Sequence, residues 1–129
     1  MTWQDAVRPV SISFDRDAES ATTVVTVSGE IDLRLHGQLR EVLTHEVDTG
    51  QHLILDLTDV DFLDSTGLGL LVGVLKRARE RAERLGVDAA ALILVIAAPE
   101  VWRTLQITRL DKVFTIVDRL EDAQSLVSM

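Results

Sequence analysis

The segment at residues 56–71 holds the residues whose types and spacing are best suited to chemistry. It reads DLTDVDFLDSTGLGLL, in which an apolar strand runs into an acidic loop and Ser65 stands before a glycine-containing helix. A serine there is a common helix cap, because its hydroxyl accepts a hydrogen bond from a free amide of the first turn. Gly67, Gly69 and Gly73 each weaken a helix interior relative to alanine. Several glycines in two turns therefore indicate close approach by another backbone or by a partner.

Enzymatic interpretations of this segment fail in detail. A nucleophile elbow requires G-x-S-x-G, and Leu63 stands where its first glycine belongs. A P-loop requires Lys-Ser or Lys-Thr after its second glycine, but Val74 follows Gly73. The dinucleotide fingerprint G-x-G-x-x-G has Val72 at its third glycine. The three histidines show no metal-ligand spacing. We therefore predict no enzyme, no catalytic residue, no metal and no cofactor.

Periodicity predicts an α/β arrangement of elements around this segment. Alternating or short apolar runs indicate strands near 10–14, 22–28, 51–57, 91–96 and 113–117. Helical spacing of apolar residues indicates helices near 35–47, 66–85, 99–105 and 120–127. The run Leu53–Leu55 lacks polar alternation, as expected for a strand covered on both faces. The order ββαβαβαβα implies a largely parallel sheet, which the opening pair of strands makes mixed.

Length and composition bound the class of protein. The 129 residues fit a single domain over 1–129, with its core at about 10–127. Thirteen basic and 21 acidic side chains give a formal net charge of −8, which disfavours direct binding to nucleic acid or anionic membranes. The absence of cysteine excludes disulfides and thiolate metal sites. Neither a secretory signal nor a membrane-spanning run is visible, so we expect a cytoplasmic protein without membrane insertion.

Three separated motifs resemble one known family. Residues 62–71, FLDSTGLGLL, are similar to the signature of the STAS domain (sulphate transporter and anti-sigma factor antagonist) in its small, soluble, bacterial antagonist form. Residues 29–32, GEID, resemble that family's G-E-[LIV]-D turn, and residues 105–114, LQITRLDKVF, resemble its late L-x-x-T-G-L-x-x-V-F segment. The resemblance covers the chain from about Val10 to Val127, in the right order.

Three departures from the family pattern accompany the resemblance. Arg109 stands where the family usually has glycine, which bears on the turn before Leu110. The stretch GVDAA at residues 86–90 replaces a tighter glycine pair, so we expect a longer loop before the fourth strand. Thr66 follows Ser65 where a second serine is common.

The resemblance implies both a fold and a function. The fold is a single STAS-like domain, a four- to five-stranded mixed sheet with helices mainly on one face. The function is that of an anti-sigma factor antagonist, whose unphosphorylated form binds an anti-sigma factor that is also a serine kinase and so releases the sigma factor. Phosphorylation by that kinase switches binding off, and a PP2C-type phosphatase restores it. An alternative within the fold is a scaffold subunit of a sensor or lipid-transport complex whose serine is never phosphorylated.

The same resemblance assigns roles to individual residues. Ser65 matches the phosphoacceptor, and Thr66 is the second choice. The residues expected at the contact with the partner are Asp32, Asp61, Asp64, Ser65, Thr66, Gly67 and Gly69.

Electrostatics gives a phosphate on Ser65 a defined effect. The net charge is −9 over residues 1–64 and +1 over residues 65–129, so the two regions meet at Ser65. A phosphate adds about −1.5 to −2 charges, which a helix N-terminus tolerates. Asp61 and Asp64 add repulsion on a surface that is already negative. We therefore expect phosphorylation to leave the fold intact and to act on the contact with a partner whose basic groups face these aspartates.

Overall fold

The computed structural model describes residues 11–29 and 33–128, and the elements along them follow the predicted order. The strands are β1 (Ser11–Asp17), β2 (Thr22–Ser28), β3 (His52–Asp59), β4 (Leu92–Val95) and β5 (Thr115–Val117). The helices are α1 (Leu33–Asp48), α2 (Ser65–Leu85), α3 (Pro99–Ile107) and α4 (Leu120–Ser128).

The fifth strand is shorter than its sequence predicts. A 3₁₀ turn at Leu110–Lys112 precedes it. The backbone amides of Val113 and Phe114 both donate to the Leu110 carbonyl oxygen, at 3.0 Å each. These amides are therefore committed to the turn, and β5 begins only at Thr115.

The five described strands form one mixed sheet in the order β1-β2-β3-β4-β5. β1 pairs antiparallel with β2, and the other three pairings are parallel. Parallel neighbours need a crossover connection, which α1, α2 and α3 supply. The predicted mixed sheet of four to five strands is confirmed. Because parallel strands end at the same edge of a sheet, the ends of β2 and β3 lie side by side.

Apolar side chains cover both faces of the sheet. Leu53, Leu55 and Leu57 of β3 pack on one face with apolar residues of α1, α2 and α3. Ile54 packs on the other face with Ala123 of α4. None of these five residues is more than 1% exposed. The expectation that β3 is covered on both faces, with helices mainly on one of them, is confirmed.

Two ion pairs hold α1 in place. Glu46 is 1% exposed and accepts hydrogen bonds from Arg16 Nε at 3.1 Å and Thr23 Oγ1 at 2.9 Å. On the opposite side of the helix axis, Arg77 of α2 donates two hydrogen bonds of 2.8 and 2.7 Å to the exposed carboxylate of Asp48. These contacts fasten α1 to the first two strands and to α2.

Left-handed backbone conformations end two of the helices. Gly86 has φ 67° and caps α2, with its N–H directed at the carbonyl oxygens of Ala82 and Glu83. Arg109 has φ 62° and ψ 16° in the turn after α3, at the position where the family usually has glycine. The turn before Leu110 is therefore built without the glycine. Residues 86–91 form the loop between α2 and β4, and its greater length relative to the family stays a prediction.

Candidate functional site

The loop between β3 and α2 presents the predicted site residues at the edge of the sheet. Val60 and Leu63 are 0% and 2% exposed and belong to the hydrophobic core, so they anchor the loop. The Val60 amide donates to the Leu57 carbonyl oxygen at 3.0 Å, which closes a turn after β3. Between these anchors Asp61 is exposed and Phe62 keeps 55% of its surface exposed.

Asp64, rather than Ser65, caps α2. Asp64 has an extended backbone, with φ −93° and ψ −174°, and its Oδ1 accepts a hydrogen bond from the Gly67 amide at 2.9 Å. Its carbonyl oxygen accepts another from the Leu68 amide at 3.0 Å. The interpretation of Ser65 as the cap is therefore wrong. Aspartate caps helices as well as serine does, and here the helix begins directly after Asp64.

Ser65 is consequently the first residue of α2, and its side chain is left available. It is exposed, and its hydroxyl makes no hydrogen bond within the part of the chain that the structure describes. Thr66 is only partly exposed. A group attached to Ser65 Oγ lies at the N-terminal end of a 21-residue helix, where free amides and the helix dipole favour negative charge.

Gly67 and Gly69 lie in different environments. Gly67 is buried within the chain, whereas Gly69 is exposed. A Cβ placed on Gly69 meets no atom of its surroundings within 4 Å. Gly69 therefore leaves its backbone open to a partner, whereas Gly67, which the sequence places at the partner contact, is covered by the chain itself.

Aspartates line the strand side of this loop. Asp59, Asp61 and Asp64 are all exposed. The end of β2 lies alongside, because the Gly29 amide donates to the Asp59 carbonyl oxygen at 3.4 Å. Asp32, the last residue of the GEID motif, lies outside the described residues, so its place beside the phosphoacceptor stays a prediction.

The described residues offer neither a metal cluster nor a role for His52 at Ser65. Within residues 11–29 and 33–128, no group of three or more His, Asp or Glu side chains is arranged to hold a metal ion. His52 begins β3, where its Nδ1 accepts a hydrogen bond from the Ala91 amide at 2.9 Å, whereas Ser65 follows the far end of that strand. His52 is thus too remote to act as a base for Ser65. No helix in the described part of the chain has the length and apolar character needed to cross a membrane.

Phe62, between Asp61 and Leu63, is an exposed apolar side chain that was not among the predicted site residues. Val72 on α2 is another exposed apolar side chain, at 40%. The exposure of Phe62 results from the burial of Val60 and Leu63 on either side of it. That pattern belongs to an irregular loop and follows neither the strand nor the helix period.

Comparison with known proteins finds relatives of this chain. The family model described as STAS domain matches residues 14–123. A protein of Listeria monocytogenes named anti-sigma-B factor antagonist is 34% identical over 93 residues, which cover 71% of this chain and 75% of that protein.

Solved structures reproduce the fold over nearly the whole chain. An anti-sigma factor antagonist from Mycobacterium paratuberculosis superposes with a TM-score of 0.78 at 26% identity, covering 94% of this chain and 96% of that one. The Bacillus cell fate determinant SpoIIAA in its phosphorylated form superposes with a TM-score of 0.67 at 21% identity, covering 91% and 99%, and supports the fold alone. Because the family model spans most of the chain and a relative above 30% identity covers more than two thirds of it, the chain belongs to the STAS domain family.

Proposed function

We propose that this STAS domain is an anti-sigma factor antagonist switched by phosphorylation of Ser65. In its unphosphorylated form it binds an anti-sigma factor that is also a serine kinase, and the sigma factor is released. The kinase transfers the γ-phosphoryl group of ATP to Ser65 Oγ, and the modified form no longer binds. The observation that carries the proposal is that Ser65, the first residue of α2, is exposed. Its hydroxyl is not needed to cap the helix, because the Asp64 side chain does so.

The relatives support this role by their names. The Listeria relative is named anti-sigma-B factor antagonist, and so is a Bacillus subtilis protein that is 33% identical over 79 residues. The Bacillus fold neighbour SpoIIAA has been solved in a phosphorylated form, so this fold accommodates a phosphorylated residue in that protein.

Position and charge support an effect on the partner contact. A phosphate on Ser65 adds about −1.5 to −2 charges at a helix N-terminus, where the dipole stabilises negative charge. It also stands next to the Asp64 carboxylate and near the exposed Asp61. A partner that fits the unmodified edge needs basic groups facing these aspartates and has no room for the phosphate. Crowding together with charge then causes release.

The wider proposal keeps the other expectations from the sequence. The chain acts as one domain over 1–129 in the cytoplasm, as a binding module without an enzymatic activity of its own. It contacts neither nucleic acid nor the membrane interior, and a PP2C-type phosphatase removes the phosphate. Phe62 joins the contact residues predicted from the sequence because it lies exposed between Asp61 and Leu63.

Phosphate mapping tests the proposal. The wild-type chain, Ser65→Ala and Thr66→Val are incubated with ATP and each anti-sigma factor kinase of the source organism, and the products are mapped by mass spectrometry. We expect a single phosphate on Ser65 in the wild type and in Thr66→Val, and none in Ser65→Ala. Phosphate on Thr66 alone, or stable binding of a partner without any phosphate transfer, contradicts the switch. The second result supports the scaffold alternative.

A further inference from the structure

A groove of about 430 Å³ runs between α1 and α2 and begins about one turn from Ser65. His36 and Arg40 of α1 line one side of it, and Gly69, Gly73 and Lys76 of α2 line the other. Because Gly69 is four residues beyond Ser65 on the same helix, the groove continues the surface that carries the proposed phosphorylation site.

The groove holds two basic side chains without an ion pair among the described residues. Arg40 and Lys76 are exposed, and neither forms an ion pair with any residue that the structure describes. Arg77 at the same groove is already bound to Asp48 through two hydrogen bonds, and Glu80 is the acidic side chain in the lining. In a chain of formal net charge −8, two cations that no described residue pairs with favour an anionic occupant of the groove.

The α2 side of the groove is open down to the helix backbone. Gly69 and Gly73 are exposed helix-interior glycines, and a Cβ added to either meets nothing within 4 Å. Packing within the chain therefore does not require glycine at these two positions, although glycine weakens the helix relative to alanine. Their absent side chains allow the main chain of another molecule to approach α2 between Arg40 and Lys76.

We propose that this groove receives an acidic segment of the protein partner, with its main chain over Gly69 and Gly73 and its carboxylates on Arg40 and Lys76. This deepens the proposed function and rests on it. The acidic loop at residues 59–64 and the basic groove then form one binding surface with a negative part and a positive part. A complementary partner presents basic groups to the loop and acidic groups to the groove. A second copy of the chain fits less well, because two molecules of net charge −8 repel each other.

Charge reversal tests the occupant. The double variant Arg40→Glu/Lys76→Glu is compared with a matched control, Arg79→Glu/Arg103→Glu, which makes the same charge change at exposed residues outside the groove. Affinity is measured by calorimetry against the kinase that phosphorylates Ser65. We expect the groove variant to bind at least about tenfold more weakly than the control. Equal affinities of the two variants overturn the groove proposal and leave the phosphorylation site standing.

A side chain added at Gly73 tests whether the main chain of the partner approaches α2 in the groove. Gly73→Leu introduces a good helix former into open space, so we expect Tm to rise by about 2–4 °C. The same side chain fills the groove, and we expect binding of the kinase to weaken at least about tenfold. A variant that gains stability and keeps wild-type affinity overturns the proposal.

Peptide titration separates the groove from the kinase. Amide shifts of the ¹⁵N-labelled chain are followed with a Glu-rich helical peptide, a Lys-rich peptide of equal length, and inorganic tripolyphosphate. We expect only the Glu-rich peptide to shift the amide resonances of Gly69, Gly73 and Arg40. Shifts of equal size with tripolyphosphate overturn the proposal in favour of a small-anion site, and no shifts with the Glu-rich peptide also overturn it. If no kinase phosphorylates Ser65, the proposed function has failed, and the titration still decides the groove.

Discussion

Arg109 is a residue whose side chain poorly suits its backbone conformation. Its φ of 62° lies in the left-handed region, which costs an L-residue with a Cβ about 1–2 kcal/mol. We expect Arg109→Gly to raise the free energy of unfolding by about 0.5–1 kcal/mol, since part of the relief is offset by the greater freedom of glycine in the unfolded chain. Urea unfolding measures the change. The control is Arg103→Gly, inside α3, which we expect to lower the free energy of unfolding. A lower free energy of unfolding in both variants contradicts the prediction.

Glu46 is the buried charge on which the position of α1 depends. Burial alone raises the pKa of its carboxyl, but hydrogen bonds from Arg16 and Thr23, with the charge of Arg16, outweigh burial and hold that pKa below its ordinary value. A carboxylate of lowered pKa stabilises the fold above its ordinary pKa, and this contribution is lost as the pH falls through the folded value.

We therefore expect Glu46→Gln to lower the free energy of unfolding by about 1–3 kcal/mol at neutral pH, because the charged hydrogen bonds to Arg16 are lost. The difference in the free energy of unfolding between this variant and wild type becomes smaller in acid, because the wild-type Glu46 carboxyl becomes protonated. Urea unfolding at neutral pH and below the ordinary glutamate pKa checks both statements. Asp48→Asn, which removes an exposed pair with Arg77, is the control and has a smaller effect. The prediction is contradicted if the difference in the free energy of unfolding between wild type and Glu46→Gln is the same at both pH values.

The N-terminus of α2 is the element on which the proposed switch depends. Asp64 caps it through Gly67, and Ser65 occupies the next position without capping. We expect Asp64→Ala to lower the free energy of unfolding by about 0.5–2 kcal/mol and Ser65→Ala to change it by less than about 0.5 kcal/mol. Thermal unfolding of the two variants makes the comparison. A larger loss from Ser65→Ala than from Asp64→Ala contradicts the assignment of the cap.

The elements were largely predictable because each has its own period in the sequence. The apolar run Leu53–Leu55 predicted a strand buried on both faces, and these residues are buried in the structure. The start of the fifth strand was not predictable, because the amides of Val113 and Phe114 turn back to Leu110, and side-chain alternation does not reveal such a turn.

The candidate site was predictable in position but not in detail. The change from strand to helix period put Ser65 at the entrance of α2. The choice of cap was hidden, because Asp64 and Ser65 are equally good caps and the backbone dihedral angles decide between them. The groove was hidden as well, because Arg40 and Lys76 lie on two helices separated by a strand and meet only in the folded chain.

At the scale of the whole molecule, the described residues present two surfaces of opposite charge near Ser65. The loop after β3 presents Asp59, Asp61 and Asp64, and the groove beside it presents Arg40 and Lys76. A phosphate on Ser65 enters at the acidic surface and leaves the two core layers untouched, because Ser65 itself is exposed. We therefore expect phosphorylation of Ser65 to change the surface of the domain and not its fold.

The most direct test measures the affinity of the anti-sigma factor kinase for the chain with and without phosphate on Ser65, together with the Tm of both forms. We predict that the phosphorylated form binds at least about tenfold more weakly, equivalent to about 1.4 kcal/mol, while its Tm stays within about 3 °C. Ser65→Asp is expected to behave in the same direction. Equal affinities of the two forms, or loss of the cooperative thermal transition on phosphorylation, would contradict the account.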